Sequence, residues 1–357
     1  MRVVHLVSGD LWAGREVATF QLLRALAARD DVQPTAVLLN EGELAQRLRK
    51  AGVPVVVEPE SGRPFRALAR AVRARVADAA LVHGHGYKED VLAACAGRPW
   101  IATQHGRPEP FHGAANLRFS VYTWLERIAQ RFSARRVVAV SREIEDWLVP
   151  RVGARRVARV SNGIADPAGD AVLPAWRERP LRVGVVARLF PVKGIDLALA
   201  AVAGCRDVEL EVVGDGPERT RLERLASELG ASARIRFAGF EADPVRRMAS
   251  WRLLLVPSLH EGNPIAVLEA LAMGTPVLAG PLPGVAEILA GRGGGWTLAD
   301  RAVVTWSAAL DEHVHVEGAG DAASRAARDR FLEAFTAEHA AAQMAALYHA
   351  VLGAASA

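Results

Sequence analysis

The sequence has little cysteine, with Cys95 and Cys205 as its two copies in 357 residues. Because they lie far apart, a disulfide framework is not expected and a reducing compartment is indicated. The sequence also has no run of 18 or more apolar residues, and the apolar segment after Arg2 is too short for a signal-peptide core. We therefore expect a cytoplasmic protein that is not inserted in a membrane.

Low-complexity tracts and nucleic-acid-binding motifs are also absent from the sequence. Nucleic acid is therefore not among the expected partners. What the chain does have is length and apolar content, with 357 residues of which 51% are hydrophobic. This is too long for one ordinary core, so we expect two globular domains.

Positive charge is concentrated in the first half of the chain. Residues 1–168 hold 25 Lys and Arg against 17 Asp and Glu, whereas residues 169–357 hold 19 against 23. Within the first half, the segment 63–78 predicts a basic amphipathic helix. Its arginines recur at three- and four-residue steps, at Arg63, Arg66, Arg70 and Arg73. Two interpretations stay open: a solvated face, or a surface that contacts an anionic membrane or acceptor.

Strand-like apolar runs alternate with amphipathic, helix-like runs in both halves, which is typical of parallel sheets covered by helices. The strand candidates are residues 3–8, 34–40, 80–85, 100–105, 136–141, 181–189, 208–216, 234–240, 253–258 and 276–280. Residues 166–180 have no periodicity and are rich in Pro, Gly and Ala, as in a linker. The fold class is therefore α/β, with two doubly wound domains that bind ligands at the carboxyl ends of their strands.

The segment HEGNPIAVLEALAMGTP, residues 260–276, predicts a short helix directly after a strand. Asn263 suits the N-cap position and Pro264 the first helical position. Gly274 suits the C-terminal stop. The start of this helix is expected at the carboxyl end of the second sheet, where ligands bind.

Two carboxylates and a helix start mark this segment as a candidate binding site. The backbone amides of Ile265 and Ala266 would form an anion site suited to phosphate. Glu261 precedes the helix, and Glu269 lies within it among apolar residues, where an unpaired carboxylate is costly to bury. The two carboxylates would flank a diphosphate and suit the hydroxyls of two sugars, although a salt bridge could also explain Glu269.

Cations for a diphosphate occur after another strand of the second half. Arg188 and Lys193 lie in the loop that follows the apolar run 181–186. Fixed positive charge there would bind a nucleotide diphosphate and stabilise it as it leaves. Gly214 and Gly216 form a turn after the next strand, where the backbone could approach a base or ribose closely. A surface pair and a plain strand-to-helix turn are the alternative interpretations.

The motif EGNPIAVLEALAMGTPV, with seven residues between its two glutamates, resembles the signature of glycosyltransferase family 4, the retaining nucleotide-sugar transferases of the GT-B fold. Further segments resemble other blocks of that family in the same order. They are VAVSREIEDWL (138–148), VSNGI (160–164), ARLFPVKG (187–194), VVGDGPE (212–218) and FAGF (237–240), and LYHAVL near the end resembles the closing helix. The resemblance spans most of the chain.

This resemblance implies a domain organisation. Two Rossmann-like domains would face a central cleft, with residues 1–168 binding the acceptor and residues 169–330 binding the nucleotide sugar. Residues 331–357 would form a C-terminal helix that returns to pack on the first domain.

The resemblance also implies roles for individual residues. Arg188 and Lys193 would hold the diphosphate, Glu261 would bind hydroxyls of the donor sugar, and Glu269 would bind the ribose. Backbone contacts at the helix start would come from Asn263, Pro264, Ile265 and Ala266.

Members of this family retain the anomeric configuration without an enzymic nucleophile, and most need no metal. The resemblance therefore implies no cofactor, with the nucleotide-diphosphate sugar as donor substrate. A histidine of the first domain lies near the reacting sugar in the family, and His105 is the matching candidate here. A metal site built from His83, His85 and His105 is an alternative, but no acidic cluster accompanies them.

The loop after the first strand departs from the family pattern. Many members have adjacent glycines there, whereas this chain has SGDLWAGRE, with Gly9 and Gly14 separated. Either glycine lets the backbone approach a phosphate or an acceptor. Asp10 and Arg15 are the accompanying acceptor-side candidates.

Several functions fit these observations. The leading hypothesis is transfer of a sugar to a glycan, lipid-linked or small-molecule acceptor, in bacterial surface polysaccharide or glycoconjugate biosynthesis. Another GT-B enzyme, such as a sugar-nucleotide epimerase or a phosphorylase, is the second. A non-catalytic protein on an anionic surface is the third, supported by the basic first half alone.

Overall fold

The structure is a computed structural model that describes residues 1–107, 115–291 and 294–354, without the side chains of residues 115–118. The chain divides into two compact units. The first contains Met1–Ala165 and Ala337–Ala357, and the second contains Asp166–Thr336. The sequence placed these boundaries after residues 168 and 330.

The described residues of the first unit form a parallel sheet in the order β3-β2-β1-β4-β5-β6-β7. The strands are β1 (Arg2–Val7), β2 (Gln33–Leu38), β3 (Val55–Val57), β4 (Leu81–Gly84), β5 (Trp100–Gln104), β6 (Arg136–Ala139) and β7 (Val157–Arg159). All five strands predicted in this half are present. The pattern missed β3 and β7, because strands of three residues at the two sheet edges are too short to show a period.

The described residues of the second unit form a parallel sheet in the order β10-β9-β8-β11-β12-β13. The strands are β8 (Arg182–Val186), β9 (Glu209–Val213), β10 (Ile235–Gly239), β11 (Leu253–Val256), β12 (Val277–Ala279) and β13 (Gly295–Thr297). The five strands predicted here are also present, and the three-residue edge strand β13 was missed.

Helices cover both sheets. Those of the first unit are α1 (Gly14–Ala27), α2 (Glu43–Lys50), α3 (Phe65–Arg75), α4 (Tyr87–Cys95), α5 (Ala115–Phe132), α6 (Arg142–Val152) and α14 (Ala337–Gly353). Those of the second are α7 (Ile195–Gly204), α8 (Arg219–Glu228), α9 (Val245–Met248), α10 (Ile265–Ala272), α11 (Pro283–Leu289), α12 (Val303–His315) and α13 (Glu317–Ala334). In the part of the chain that is described, no helix combines the length and apolarity needed to cross a bilayer. The α/β class with two Rossmann-like domains is confirmed.

The final helix packs in the first unit, which confirms the prediction that the chain returns there. Buried Met344 and Tyr348 of α14 share a core cluster with Val3 of β1 and Leu26 of α1. The predicted helix over residues 331–352 is in fact the end of α13 followed by α14. The break lies between Ala334 and Ala337, and Ala337 donates its amide hydrogen to the carbonyl of Ile164 over 2.8 Å.

The predicted linker 166–180 is partly structured. Trp176 is fully buried, and its indole Nε1 donates to the carbonyl oxygen of Arg252 over 2.8 Å. The Arg252 guanidinium lies 4.5 Å from the centre of the same ring, a cation–π geometry. This segment is therefore anchored in the second unit.

Each sheet changes its winding direction beside its first strand. In the first unit β1 lies between β2 and β4, and in the second β8 lies between β9 and β11. Loops that leave two such neighbouring strands run to opposite sides, which opens a crevice at the carboxyl edge. Gly9 and Asp10 lie on the loop after β1, and Arg188, Lys193 and Glu261 lie on the loops after β8 and β11. Other candidates lie elsewhere: His105 follows β5, Gly214 and Gly216 follow β9, and Glu269 lies within α10.

Candidate active site

An ion pair joins the loops that follow β8 and β11 in the second unit. Lys193 Nζ lies 2.7 Å from Glu261 Oε1, and both side chains are largely buried. The Ser258 hydroxyl donates to the same carboxylate oxygen over 2.7 Å. Two residues that the sequence assigned separately to the diphosphate and to the donor sugar are thus in direct contact.

Gly194 explains how the two loops come so close. Pro191–Lys193 form a single 3-10 turn, and Gly194 follows it at φ 59°, in the left-handed region that favours glycine. A Cβ at this position would overlap the carbonyl oxygen of Pro257 on the other loop. The Leu259 amide donates to the Val192 carbonyl over 2.8 Å, which fixes the approach.

Arg188 is the second predicted cation of this edge. It is exposed, and its guanidinium carbon lies 5.1 Å from the centre of the Phe190 ring. Within the described ranges, no carboxylate pairs with Arg188. Its charge is therefore available to an anion at the carboxyl edge of the sheet.

The glycine turn after β9 supports the loop that carries Arg188. Gly214 adopts φ 140°, and a Cβ there would overlap the carbonyl oxygen of Ala187. A Cβ at Gly216 would lie 2.8 Å from the amide nitrogen of Leu189. The Leu189 amide in turn donates to the Asp215 carbonyl over 2.9 Å. Both glycines therefore have a packing reason, and their predicted contact with a base or ribose stays a prediction.

The helix α10 begins one residue later than the sequence predicted. Pro264 occupies the N-cap position with φ −71° and ψ 124°, and the buried Asn263 precedes it. Asn263 as N-cap was therefore wrong, because proline holds an extended backbone conformation that ends where the helix starts. Ile265 and Ala266 are the first two residues of the helix, and Gly274, at φ 60°, follows its C-terminus as predicted.

Glu269 lies on α10 and is half-buried among apolar residues. Loss of hydration, followed by the nearby Asp243 carboxylate, raises the pKa of Glu269 to about 8. No described residue forms an ion pair or hydrogen bond with its carboxylate. The alternative of a salt bridge to an arginine is therefore not observed.

The loop after β1 carries the predicted residues of the first unit. Gly9 adopts φ 76°, and its Cβ position lies 3.0 Å from the Asn40 carbonyl oxygen, so glycine is required there. Gly14 begins α1, and a Cβ on it would meet no atom within 4 Å. Asp10 accepts a hydrogen bond from Ser8, and Arg15 pairs with Glu16 over 2.7 Å.

His105 is one end of a hydrogen-bonded series that we call the histidine chain, formed by Thr103, His83, Tyr348, His5, His85 and His105. His105 Nε2 lies 3.2 Å from His85 Nδ1, and His85 Nε2 lies 3.0 Å from His5 Nδ1. His105 Nδ1 is buried and has no hydrogen-bond partner among the described residues. Burial, followed by the charge of Arg15, lowers the pKa of His105 to about 3.

The other end of the histidine chain lies between β4, β5 and α14. His83 Nε2 is 2.7 Å from Thr103 Oγ1, and His83 Nδ1 is 2.8 Å from the Tyr348 hydroxyl oxygen. That oxygen lies 3.5 Å from His5 Nε2, the longest contact of the series. Ring nitrogens of His5, His83 and His85 lie within 4.8 Å of one another, which a metal could bridge. The absence of a metal requirement stays a prediction.

A buried acidic cluster was missed in the sequence. Glu89 and Asp90 follow β4 on α4, and each has one carboxylate oxygen without a partner among the described residues. Asp90 and Glu126 accept hydrogen bonds from the same Gln130 amide over 2.8 and 3.2 Å. Burial raises the pKa of Glu89, raises that of Asp90 well above its usual value, and raises that of Glu126 to about 8. Acidic residues directly after a strand end were the available signal.

Two family models match consecutive parts of the chain. The model described as Glycosyltransferase Family 4 matches residues 12–166, and the one described as Glycosyl transferases group 1 matches residues 174–330. The two matches fall on the first and second units.

Curated relatives are glycosyltransferases. The 2-deoxystreptamine glucosyltransferase of Streptomyces kanamyceticus is 30% identical over 74% of this chain and 73% of its own length. The lipopolysaccharide core biosynthesis glycosyltransferase LpsE of Rhizobium meliloti is 35% identical to this chain in the matched region. That region covers 36% of this chain and 35% of the relative's length.

Solved structures share the fold over the whole chain. The Anabaena protein Alr3699/HepE in complex with UDP has a TM-score of 0.85 at 20% identity, covering 98% of this chain and 100% of its own. The glycosyltransferase WaaG has a TM-score of 0.75 at 18% identity, covering 98% of this chain and 99% of its own. The fold is therefore that of the GT-B glycosyltransferases.

The match to the 2-deoxystreptamine glucosyltransferase covers most of both chains, and it therefore establishes the family. The chain belongs to glycosyltransferase family 4. Its class is therefore an enzyme that transfers glycosyl groups, as the sequence predicted.

Proposed function

We propose that this enzyme transfers a sugar from a nucleotide-diphosphate sugar to an acceptor hydroxyl. The observation that carries the proposal is the contact of Lys193 with Glu261 at the carboxyl edge of the second sheet. The loop that carries Lys193 also carries the unpaired cation Arg188. Arg188 and Lys193 would hold the diphosphate by charge-assisted hydrogen bonds. Glu261 would then exchange its bond to Lys193 for bonds to donor-sugar hydroxyls.

Glu269 fits a ligand that brings hydrogen-bond donors. A carboxylate with a raised pKa and no ion-pair partner is costly in the free protein. The two hydroxyls of a ribose would donate to it and lower that cost. The nucleotide would thus be held by α10, while the amides at the start of α10 face the diphosphate.

The relatives support a nucleotide sugar as the donor. The Anabaena protein is described in complexes with UDP and with UDP-glucose. The curated relatives take part in lipopolysaccharide core biosynthesis or glycosylate 2-deoxystreptamine. We propose a hydroxyl-rich acceptor, either a glycan, a lipid-linked sugar or a small molecule, in surface polysaccharide or glycoconjugate biosynthesis.

We propose that transfer retains the anomeric configuration and needs no metal. The bond between the anomeric carbon and the diphosphate breaks, and the acceptor oxygen bonds to the same face of that carbon. The acceptor proton passes to the leaving diphosphate. Arg188 and Lys193 stabilise the charge that develops on this leaving group.

We also propose that the enzyme contacts an anionic membrane, through α5 rather than through the basic helix α3. Two arginines of the α3 segment, Arg63 and Arg75, already bond Glu58. The outer face of α5 instead exposes large apolar side chains together with arginines. They are Val121, Trp124, Ile128 and Phe132, exposed by 47%, 60%, 37% and 69%, with Arg127 and Arg131 between them.

This outer face suits a lipid interface for physical reasons. Its apolar residues recur at three- and four-residue steps, while its acid Glu126 points inward and is buried. Aromatic and aliphatic side chains on such a helix enter the boundary between headgroups and acyl chains, and arginines bind anionic headgroups.

A panel of nucleotide sugars tests the donor assignment. We expect one of them to raise the unfolding temperature of the full chain and to be turned over in the presence of an acceptor. Product anomeric configuration, measured by NMR, tests retention, and activity in a chelator tests metal independence. If no nucleotide sugar stabilises the protein, the donor assignment fails.

A further inference from the structure

The hydrogen bonds of the histidine chain can be donated in either of two directions along the series, and we call these directions its two polarities. Burial lowers the pKa of His5 to about 3 and holds those of His83 and His85 well below their usual value, so these rings, like His105, are neutral. A neutral imidazole has one N–H donor and one lone pair. Each contact in the series needs one donor, so all four imidazoles carry hydrogen on Nδ1 or all four carry it on Nε2.

The two ends of the chain decide between these polarities. The Thr103 hydroxyl at one end can either donate to His83 Nε2 or accept from it, so it accommodates both. At the other end, His105 Nδ1 is buried and has no partner among the described residues. Hydrogen on that nitrogen would be a buried donor without an acceptor, which costs more than a buried lone pair.

The remaining contacts are consistent with hydrogen on Nε2. In that polarity the Tyr348 hydroxyl donates to His83 Nδ1 over 2.8 Å and accepts from His5 Nε2 at 3.5 Å. The short contact is then the one in which the phenol donates. Thr19 Oγ1 lies 3.5 Å from His85 Nδ1 and is the one contact that favours the opposite polarity.

We propose that Tyr348 is a positioning residue that, together with Thr103, holds His105 in the Nε2–H tautomer. His105 Nδ1 then carries a lone pair and can accept but not donate a hydrogen bond. Through this chain, α14 at the end of the sequence sets which kind of hydrogen bond His105 can make.

Breaking the chain at Tyr348 should remove the preference. In Tyr348→Phe, the segment of His5, His85 and His105 has an unpartnered nitrogen at both ends. Either polarity then leaves one unpartnered N–H, so the two tautomers become similar in free energy. Thr103→Val has the same consequence, because His83 Nε2 loses the hydroxyl that accommodated both polarities.

Nitrogen-15 NMR of histidine side chains in the full, ligand-free chain tests the tautomer directly. We expect Nε2–H in all four rings of the wild type and mixed tautomers of His105 in Tyr348→Phe and in Thr103→Val. Tyr122→Phe, which removes a phenol outside the chain, should leave the spectrum unchanged. Nδ1–H or a mixture at His105 in the wild type, or an unchanged His105 in both chain variants, would overturn the proposal. Stoichiometric metal bound by His5, His83 and His85 in the purified protein would overturn it as well.

Discussion

Lys193 and Glu261 lie 68 residues apart in the sequence, yet Nζ and Oε1 are 2.7 Å apart in the second unit. The pair connects the loops after β8 and β11, the two strands between which the winding direction changes. In the free protein each residue neutralises the other. A donor with a diphosphate and sugar hydroxyls offers both residues new partners at once.

A double-mutant cycle tests this relationship. We expect Lys193→Ala and Glu261→Ala each to lower kcat/KM by about ten- to a hundredfold, because each removes charge-assisted contacts worth roughly 1.5 to 3 kcal/mol. The double variant should lose less than the two single losses combined, since the residues are in contact. Steady-state kinetics with the identified donor provide the values.

Arg182 provides the matched control for that cycle. It pairs with Glu209 over 2.7 Å on the same sheet, but at the amino end of β8 and in a more exposed position. Arg182→Ala should keep kcat/KM within about twofold, because an exposed ion pair contributes roughly 0 to 1 kcal/mol to stability and none to this site. Equal losses in Arg182→Ala and Lys193→Ala would show that general destabilisation explains the effect.

Gly214→Ala tests the support of the Arg188 loop. The added Cβ would overlap the Ala187 carbonyl, so the loop must move. We expect a loss of about 2 to 4 kcal/mol in unfolding free energy and weaker binding of the nucleotide, measured by denaturant titration and calorimetry. Gly318→Ala on α13 is the control, because a Cβ there meets no atom within 4 Å. Nucleotide binding at the wild-type affinity in Gly214→Ala would contradict a role of the Arg188 loop in binding.

Glu269→Gln tests the raised pKa. The folded-state pKa of about 8 exceeds the usual 4.5, so the folded protein binds the extra proton and its stability falls as pH rises between these values. A glutamine side chain does not titrate, so the variant lacks this loss of stability. We expect its free energy of unfolding to exceed that of the wild type by on the order of 1 to 4 kcal/mol at pH 9, with little difference at pH 4. Denaturant midpoints across this range provide the comparison, and parallel pH profiles for the two proteins would contradict the prediction.

Vesicle flotation tests α5 as the membrane-contacting surface. We expect the wild type to float with vesicles of phosphatidylcholine and phosphatidylglycerol but not with phosphatidylcholine alone. The pair Trp124→Ala and Phe132→Ala should reduce the bound fraction about tenfold or more, because apolar area no longer enters the interface. Val304→Ser, at an exposed apolar position of the second unit, is the control. Binding that is lost equally in Arg66→Ala and Arg70→Ala would favour α3 instead.

Much of the fold could be predicted from the sequence, because strands buried on both faces are continuous apolar runs. The run from Val3 to Val7 is fully buried in β1 for this reason, with His5 as its one polar residue. The edge strands β3, β7 and β13 were missed because they are short and only partly buried, whereas the equally short β12 is fully buried and was predicted. The orientation of α5 could not be read either, because both of its faces carry apolar and charged residues.

Part of the candidate site could likewise be predicted from the sequence, and part could not. The donor-side residues follow strand ends in short motifs, so their neighbourhood could be predicted from the order of the chain. The contact of His83 with Tyr348 could not, because these residues are 265 positions apart and meet only after α14 returns to the first unit. His5 was likewise missed, since its contact depends on the pairing of β1 with β4, which places His5 opposite His83.

The most direct test is the structure of the full chain in complex with the nucleotide sugar that stabilises it most. We expect the diphosphate within hydrogen-bond distance of Arg188 and Lys193, Glu261 moved from Lys193 to hydroxyls of the sugar, and the ribose on Glu269. A nucleotide sugar bound elsewhere, with the pair of Lys193 and Glu261 unchanged, would contradict the account.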